Sequence, residues 1–125
     1  MGNKKVLAVL EDLFFSVKIN ESAKRSGLPV EFVKSEHDAL EKARSHPALI
    51  IVDLNFGGID PVGLISKLKA DEQTKSINVL GYVSHVQADL KQQAQAAGCN
   101  MVLARSAFSQ NLQQILQRHA SSLTS

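Results

Sequence analysis

Residues 48–55, Ala-Leu-Ile-Ile-Val-Asp-Leu-Asn, join a short apolar run to an acidic residue at its end. The run is continuous and rich in β-branched side chains, which is typical of a strand covered on both faces. Four other runs of similar length occur along the chain, at residues 6–10, 30–33, 77–83 and 101–104. We therefore predict five buried strands, with Asp53 at the end of the third.

Amphipathic segments with helix start or stop signals fill the gaps between these runs. Their apolar residues recur at the spacing expected on one face of a helix. The signals are Gly27 after segment 12–26, Ser35 as the N-cap of a short helix ending before Pro47, Pro61 in a first turn, Gly98 after segment 87–97, and Ser109 as the N-cap of a last helix. Strand and helix thus alternate along the whole chain.

This alternation predicts a single α/β domain, a doubly wound parallel sheet of the flavodoxin-like (βα)5 type with strand order 2-1-3-4-5. Connections of this length imply right-handed crossovers and helices on both faces of the sheet. The 125 residues leave room for one domain. We expect its core to span about residues 4–118, with 119–125 as a frayed tail.

Composition and charge exclude several classes of protein. Hydrophobic residues make up 44% of the chain and charged residues 21%, which is too apolar for a disordered protein. The net charge is only +2 and the basic residues are scattered, so we expect no nucleic-acid partner. No apolar stretch reaches the ~18 residues of a membrane span, and Cys99 as the only cysteine excludes an internal disulfide. We expect a cytoplasmic protein without membrane contact.

Carboxylates follow two of the predicted strands. Glu11 and Asp12 come after the first strand and Asp53 ends the third, and these strand ends lie side by side in the predicted sheet. Clustered carboxylates repel one another unless a cation neutralises them, and Mg²⁺ is bound through one or two carboxylates plus water. The alternative is that Asp53 is a loop aspartate that caps the next turn.

The chain resembles the CheY-like receiver domain of bacterial response regulators. The resemblance rests on the acids at 11 and 12, the run 50–55 followed by Gly57-Gly58-Ile59-Asp60, the stretch 97–100 and the basic residue Arg105. It implies that Asp53 accepts a phosphoryl group, that the partner is a histidine kinase or another signalling protein, and that the chain is not an enzyme. It also implies a Mg²⁺ site formed by Glu11, Asp53 and the backbone carbonyl of Asn55, with Asp12 as a substitute ligand.

Several positions depart from the pattern of that family and indicate a degenerate receiver. One position of the acidic pair falls on Leu10, and the hydroxyl after the fourth strand falls on Val83, with Ser84 one residue later. Arg105 replaces the usual lysine, and Val102 replaces the aromatic residue that rotates in the family's switch. The arginine guanidinium forms bidentate hydrogen bonds with carboxylates. Arg105 therefore either binds Asp53 directly and fills the space of a phosphoryl group, or serves as a longer phosphate anchor.

Three functions follow, from different classes. The chain is a receiver of the two-component (phosphorelay) type with a weakened switch, a pseudo-receiver that docks partners without phosphorylation, or a small flavodoxin-like ligand binder or enzyme. The last is disfavoured because residues 11–14 place negative charge and bulk where a nucleotide or flavin phosphate needs backbone N–H groups. His85 is a candidate acid–base group, although a lone loop histidine is more often a surface residue.

The predicted output surface lies on the fourth helix, the fifth strand and the fifth helix. It is rich in amides, and we expect a partner or a homodimer contact there; the alternative is a simply solvated face. The amides are Gln92, Gln95, Gln110, Asn111, Gln113 and Gln114.

Overall fold

A computed structural model describes residues 5–84 and 88–121. It contains one sheet of five strands in the order β2-β1-β3-β4-β5, with every neighbouring pair parallel. The strands are β1 (Val6–Val9), β2 (Val30–Val33), β3 (Leu49–Asp53), β4 (Val79–Val83) and β5 (Met101–Ala104). The predicted fold class and strand order are confirmed.

A helix follows each strand. The helices are α1 (Leu13–Arg25), α2 (Glu36–Ala43), α3 (Pro61–Ala70), α4 (Ala88–Ala96) and α5 (Arg105–Ser121). Ser35 caps α2 as predicted, and Pro61 occupies the first turn of α3 behind its N-cap Asp60. No helix within the described ranges is long and apolar enough to cross a membrane.

The last helix differs from the prediction at its start. Ser109 is not its N-cap, because α5 begins at Arg105, directly after β5. The early start places Phe108, which is fully buried, against the sheet, and burial of an aromatic side chain outweighs the weak start signal of a serine. At the other end α5 continues to Ser121, past the predicted end of the core at 118. Residues 122–125 of the predicted tail lie outside the described residues.

Side chains of the strands alternate between two hydrophobic clusters, one on each face of the sheet. Leu7, Ile50 and Val52 belong to the cluster beneath α2, α3 and α4. Ile51 and Tyr82 belong to the cluster that contains residues of α1 and α5. Asp53 follows Ile51 by two positions, so its side chain starts toward α1 and α5. The alternation therefore fixes the face from which the Asp53 carboxylate emerges.

Candidate functional site

Asp53 ends β3 with its carboxylate half-buried and oriented by the chain itself. The backbone N–H of Asn55 donates to Asp53 Oδ1 at 2.9 Å. Burial raises the pKa of Asp53 above its ordinary value; the Asn55 N–H lowers it, the Asp12 carboxylate raises it and the Arg105 guanidinium lowers it. Two carboxylates and one guanidinium therefore act on each other at the carboxyl end of the sheet.

Asn55 connects Asp53 to the end of β4. Its side-chain Oδ1 accepts the backbone N–H of Ser84 at 2.7 Å. This hydrogen bond joins the loop after β3 to the residue that follows β4, next to the Asp53 carboxylate. The loop carrying Asn55 is thus tied to the neighbouring strand by a specific contact.

Asp12 has two structural roles at once. As the N-cap of α1, its Oδ1 accepts the backbone N–H groups of Phe14 and Phe15 at 2.9 and 3.3 Å. Its Oδ2 accepts a hydrogen bond from Arg105 Nη2 at 2.7 Å. Both oxygens are engaged, so the residue predicted as a substitute metal ligand is already neutralised by a cation of the chain.

Arg105 lies at the start of α5 and pairs with Asp12, whereas a clamp on Asp53 was one of the two roles predicted for it. Among the ion pairs of the described residues, its partner is Asp12, and its guanidinium carbon lies 4.6 Å from the centroid of the Phe15 ring. The reason is geometric: the N-cap role holds Asp12 Oδ2 toward α5, and the Phe15 ring offers a cation–π surface beside it. Arg105 influences Asp53 through its charge alone.

One of the predicted ligands of a divalent ion, Asp12, is engaged by a cation of the chain. Glu11 is exposed, Asp12 is paired with Arg105, and Leu10, at one position of the expected acidic pair, is buried in the core. Within residues 5–84 and 88–121 no group of three His, Cys, Asp or Glu side chains could hold a metal ion. A divalent ion that used Asp12 as a ligand would have to displace Arg105.

Of the positions predicted to sense a phosphoryl group, Val83 has no hydroxyl, and Ser84 carries one a residue later. Val83 is 3% exposed and packs into the core on the side of α3 and α4. Ser84 is partly exposed, with its backbone N–H held by Asn55. Val102 packs against the same core as Val83. His85 lies outside the described residues.

An aromatic stack lies beneath the site, and the sequence analysis did not single it out. Tyr82 pairs with Asp53 across the β3–β4 ladder. Its ring stacks on Phe108 with centroids 4.7 Å apart and planes 6° apart, and lies 5.1 Å from the ring of Phe15. The available signal was that Tyr82, the only tyrosine, shares a face with Asp53 by strand alternation.

The amide-rich surface is present, with one correction. Gln92, Gln95, Gln110, Asn111 and Gln114 are exposed on α4 and α5. Gln113 is instead part-buried, and its Nε2 donates to Ser26 Oγ, at the end of α1, at 3.0 Å. Helical geometry turns Gln113 toward α1, because successive residues are about 100° apart around the axis.

Solved structures similar to this chain are response regulators. The phosphorylated cyanobacterial phytochrome response regulator RcpA is 22% identical over 99% of this chain and 96% of its own, with a TM-score of 0.81. Chemotaxis response regulator CheY4 of Vibrio cholerae is 24% identical over 94% of this chain and 98% of its own, with a TM-score of 0.79. The Mn²⁺-bound response regulator Rcp1 is 20% identical over 94% and 92%, with a TM-score of 0.77.

Comparison of sequences alone yields less. No protein-family model matches the chain, and no curated protein matches it either. The chain therefore has the fold of response regulator receiver domains, at a sequence identity below 25% to the three structures named above.

Proposed function

We propose that this chain is a receiver module of two-component signalling that works through protein contacts and carries its phosphoryl group on Asp53. The observation that supports this most is the placement of Asp53: a half-buried carboxylate at the carboxyl end of β3, oriented by the Asn55 N–H. Parallel α/β sheets place their functional groups at this edge. The fold shared with phosphorylated RcpA supports the same reading.

The chemistry required of Asp53 is a single phosphoryl transfer. A carboxylate oxygen forms a bond to phosphorus while the bond from phosphorus to the donor breaks, and the electron pair leaves with the donor. The donor is a phosphohistidine of a kinase or a small acyl phosphate. Arg105, whose charge already acts on Asp53, is placed to offset the added negative charge.

The switch is weaker than in a receiver with the full set of groups. Val83 supplies no hydroxyl for the phosphoryl oxygen, and Arg105 is held by Asp12 at 2.7 Å. A hydrogen bond to a charged oxygen contributes about 1.5–3 kcal/mol, or about ten- to a hundred-fold in a conformational equilibrium. Phosphorylation is therefore expected to shift this chain between states less completely.

Mass spectrometry after incubation with a small phosphodonor and Mg²⁺ tests the proposal. Wild type is expected to gain the mass of one phosphate, and Asp53→Asn is expected to gain none. Asp60→Asn is the matched control, since it changes a carboxylate that caps α3, and it is expected to behave as wild type. Unmodified wild type would exclude Asp53 as an acceptor for that donor.

A pseudo-receiver is the second candidate, and the Arg105–Asp12 ion pair favours it. That pair neutralises one carboxylate of the site with no external ion, which is what a site fixed in one state requires. The experiment above separates the two, because a pseudo-receiver gains no phosphate mass as wild type or as Asp53→Asn. The ligand-binder alternative is disfavoured, since the Asp12 carboxylate already accepts the N–H groups at the N-terminus of α1 that a phosphate would need.

Partner contact is proposed on the exposed amides of α4 and α5. Gln92, Gln95, Gln110 and Gln114 give this face hydrogen-bonding groups without charge. The edge strand β5 adds Met101, which is 40% exposed. A histidine kinase or another signalling protein, or a second copy of the chain, is the proposed occupant, and a cytoplasmic location goes with such a role.

A further inference from the structure

The hydroxyl of Tyr82 is a buried donor without an acceptor among the described residues. The side chain is 1% exposed, and no atom in the described part of the chain accepts its hydrogen bond. The ring packs against both Phe15 and Phe108, at 5.1 and 4.7 Å between centroids, and those two rings lie 5.7 Å from each other. The three rings therefore form one apolar cluster around the Tyr82 side chain. An unpaired buried donor is costly and rare in native proteins, which indicates that Tyr82 has an acceptor in another state of the molecule.

The candidate acceptors lie at the carboxyl end of the sheet, where Asp53 and Asp12 are found. Tyr82 and Asp53 are paired residues on adjacent strands, and their side chains leave the same face of the sheet. Burial raises the pKa of Tyr82 far above its ordinary value, and the carboxylates of Asp53 and Asp12 raise it further while Arg105 lowers it. The group therefore stays a protonated donor and lies within the electrostatic reach of both carboxylates.

Resting on the role proposed above for Asp53, we propose that the Tyr82 hydroxyl donates to an oxygen of the phosphoryl group carried by Asp53 and supplies the donor that Val83 lacks. A phosphoryl group adds oxygens to the end of Asp53 and brings acceptors nearer to the adjacent strand. A movement of the Tyr82 ring within the stack brings its hydroxyl to these oxygens while the side chain stays buried.

The same stack links the site to α5. Phe108 belongs to the first turns of α5, and its ring is nearly parallel to that of Tyr82. Aromatic rings packed in this way move together, because interiors are close-packed and leave little free volume. A shift of Tyr82 toward Asp53 therefore displaces Phe108 and changes the start of α5, which borders the amide-rich face.

Tyrosine absorbance reads out this contact without a label. The chain has one tyrosine and no tryptophan, so its near-ultraviolet spectrum reports Tyr82 alone. With acetyl phosphate and Mg²⁺, wild type is expected to gain a phosphate by mass and to shift its tyrosine band to longer wavelength, as a phenol does when it donates to an anion. Asp53→Asn is expected to show neither change.

Two variants then test whether the hydroxyl is the donor. Tyr82→Phe keeps the ring stack and is expected to bind beryllofluoride, a phosphoryl mimic, about ten- to a hundred-fold more weakly than wild type. Ser84→Ala tests the competing donor, because a loss of affinity there and not in Tyr82→Phe would assign the contact to the Ser84 hydroxyl. Far-ultraviolet circular dichroism confirms that each variant is folded.

The outcomes separate this inference from the proposed function. A phosphate mass gain without a tyrosine shift, wild-type affinity in Tyr82→Phe, or a loss in Ser84→Ala instead would overturn the role of Tyr82 and leave Asp53 as the acceptor. The absence of any mass gain in wild type would remove the proposed acceptor and the Tyr82 contact together.

Discussion

Arg105 and Asp12 are 93 positions apart in the sequence, and their side chains meet at 2.7 Å. The pair is formed at the surface, with Arg105 41% and Asp12 24% exposed in their side chains, so its direct contribution to stability is at most about 1 kcal/mol. Its effect on the site is larger than its effect on the fold. Arg105 occupies the carboxylate that an incoming cation would use.

Removal of that guanidinium is expected to improve metal binding. Arg105→Ala removes the cation that pairs with Asp12 and acts on Asp53. Mg²⁺ is therefore expected to bind about tenfold more tightly than in wild type, since about 1.4 kcal/mol of repulsion is relieved. Isothermal titration calorimetry measures the change. Arg118→Ala removes the same charge from the far end of α5 and serves as the control. Equal changes in both variants would show a general effect of net charge and not a site.

Tyr82 offers a second test, on stability. Tyr82→Phe deletes a buried hydroxyl without a partner in the described residues and keeps the stack on Phe108. Because an unpaired donor costs about 1–3 kcal/mol, the free energy of unfolding is expected to stay equal or to rise by about 1 kcal/mol. Urea denaturation measures this free energy. Phe108→Ala serves for comparison, and its free energy of unfolding is expected to fall by about 3–5 kcal/mol. A loss of more than about 1 kcal/mol in Tyr82→Phe would mean that the hydroxyl is paired.

Among the helices, α1 depends on the same aspartate as the site. Asp12→Asn keeps an N-cap side chain and loses the charge, whereas Asp12→Ala loses both. We expect Asp12→Ala to be less stable than Asp12→Asn by about 1 kcal/mol in thermal unfolding. Both variants are expected to release Arg105 to the same extent. Equal stabilities would mean that the N-cap bonds to Phe14 and Phe15 contribute nothing measurable.

The edge strand β2 is held by a carboxylate with two cations. Glu31 pairs with Lys42 at 2.9 Å and with Lys5 at 3.0 Å, and hydrogen bonds from both lysines lower the pKa of Glu31 below its ordinary value. A carboxyl group whose pKa is lower in the folded state stabilises the fold at pH values above its pKa in the unfolded chain. This stabilisation is lost as the pH falls through the pKa of the group in the folded state.

Glu31→Gln is therefore expected to lower the free energy of unfolding at pH 7 by no more than about 1 kcal/mol, since the Glu31 side chain is 33% exposed to solvent. The difference from wild type is expected to vanish below about pH 4. Urea denaturation across this range measures it, and Glu41→Gln on the exposed side of α2 is the control. A difference that persists in acid would point to packing and not to charge.

For the complete domain, the question is which face meets a partner. β5 is an edge strand beside α4 and α5. Three exposed side chains on this face are uncharged, namely Gln110, Gln114 and Met101. A two-fold contact places identical residues near one another. Gln114→Lys is therefore expected to weaken self-association at least tenfold, roughly 1.4 kcal/mol, as measured by sedimentation velocity over a concentration series.

Glu21→Lys, on the exposed side of α1, introduces the same residue away from this face and is expected to associate as wild type. A chain that sediments as a monomer at every concentration would exclude the homodimer. Equal weakening in both variants would place the contact elsewhere or attribute it to net charge.

Local pattern was enough to predict the frame of the molecule. Buried runs such as 49–53 alternating with amphipathic segments admit few arrangements, because parallel neighbours need crossover helices of one hand. Asp53 at the carboxyl edge of the sheet follows from that frame. The start of α5 was misplaced at Ser109, because a serine is a weak local signal compared with the burial of Phe108.

What the amino-acid order alone determined is therefore the topology and the placement of Asp53, since both depend on periodicities that short-range sequence contains. Tertiary structure alone decided the partner of Arg105 and the isolation of the Tyr82 hydroxyl. Both depend on distances between side chains far apart along the chain, and on a competition in which capping α1 and stacking on Phe15 drew Asp12 and Arg105 together. No local pattern encodes the outcome of such a competition, because the alternatives differ by only about 1–2 kcal/mol.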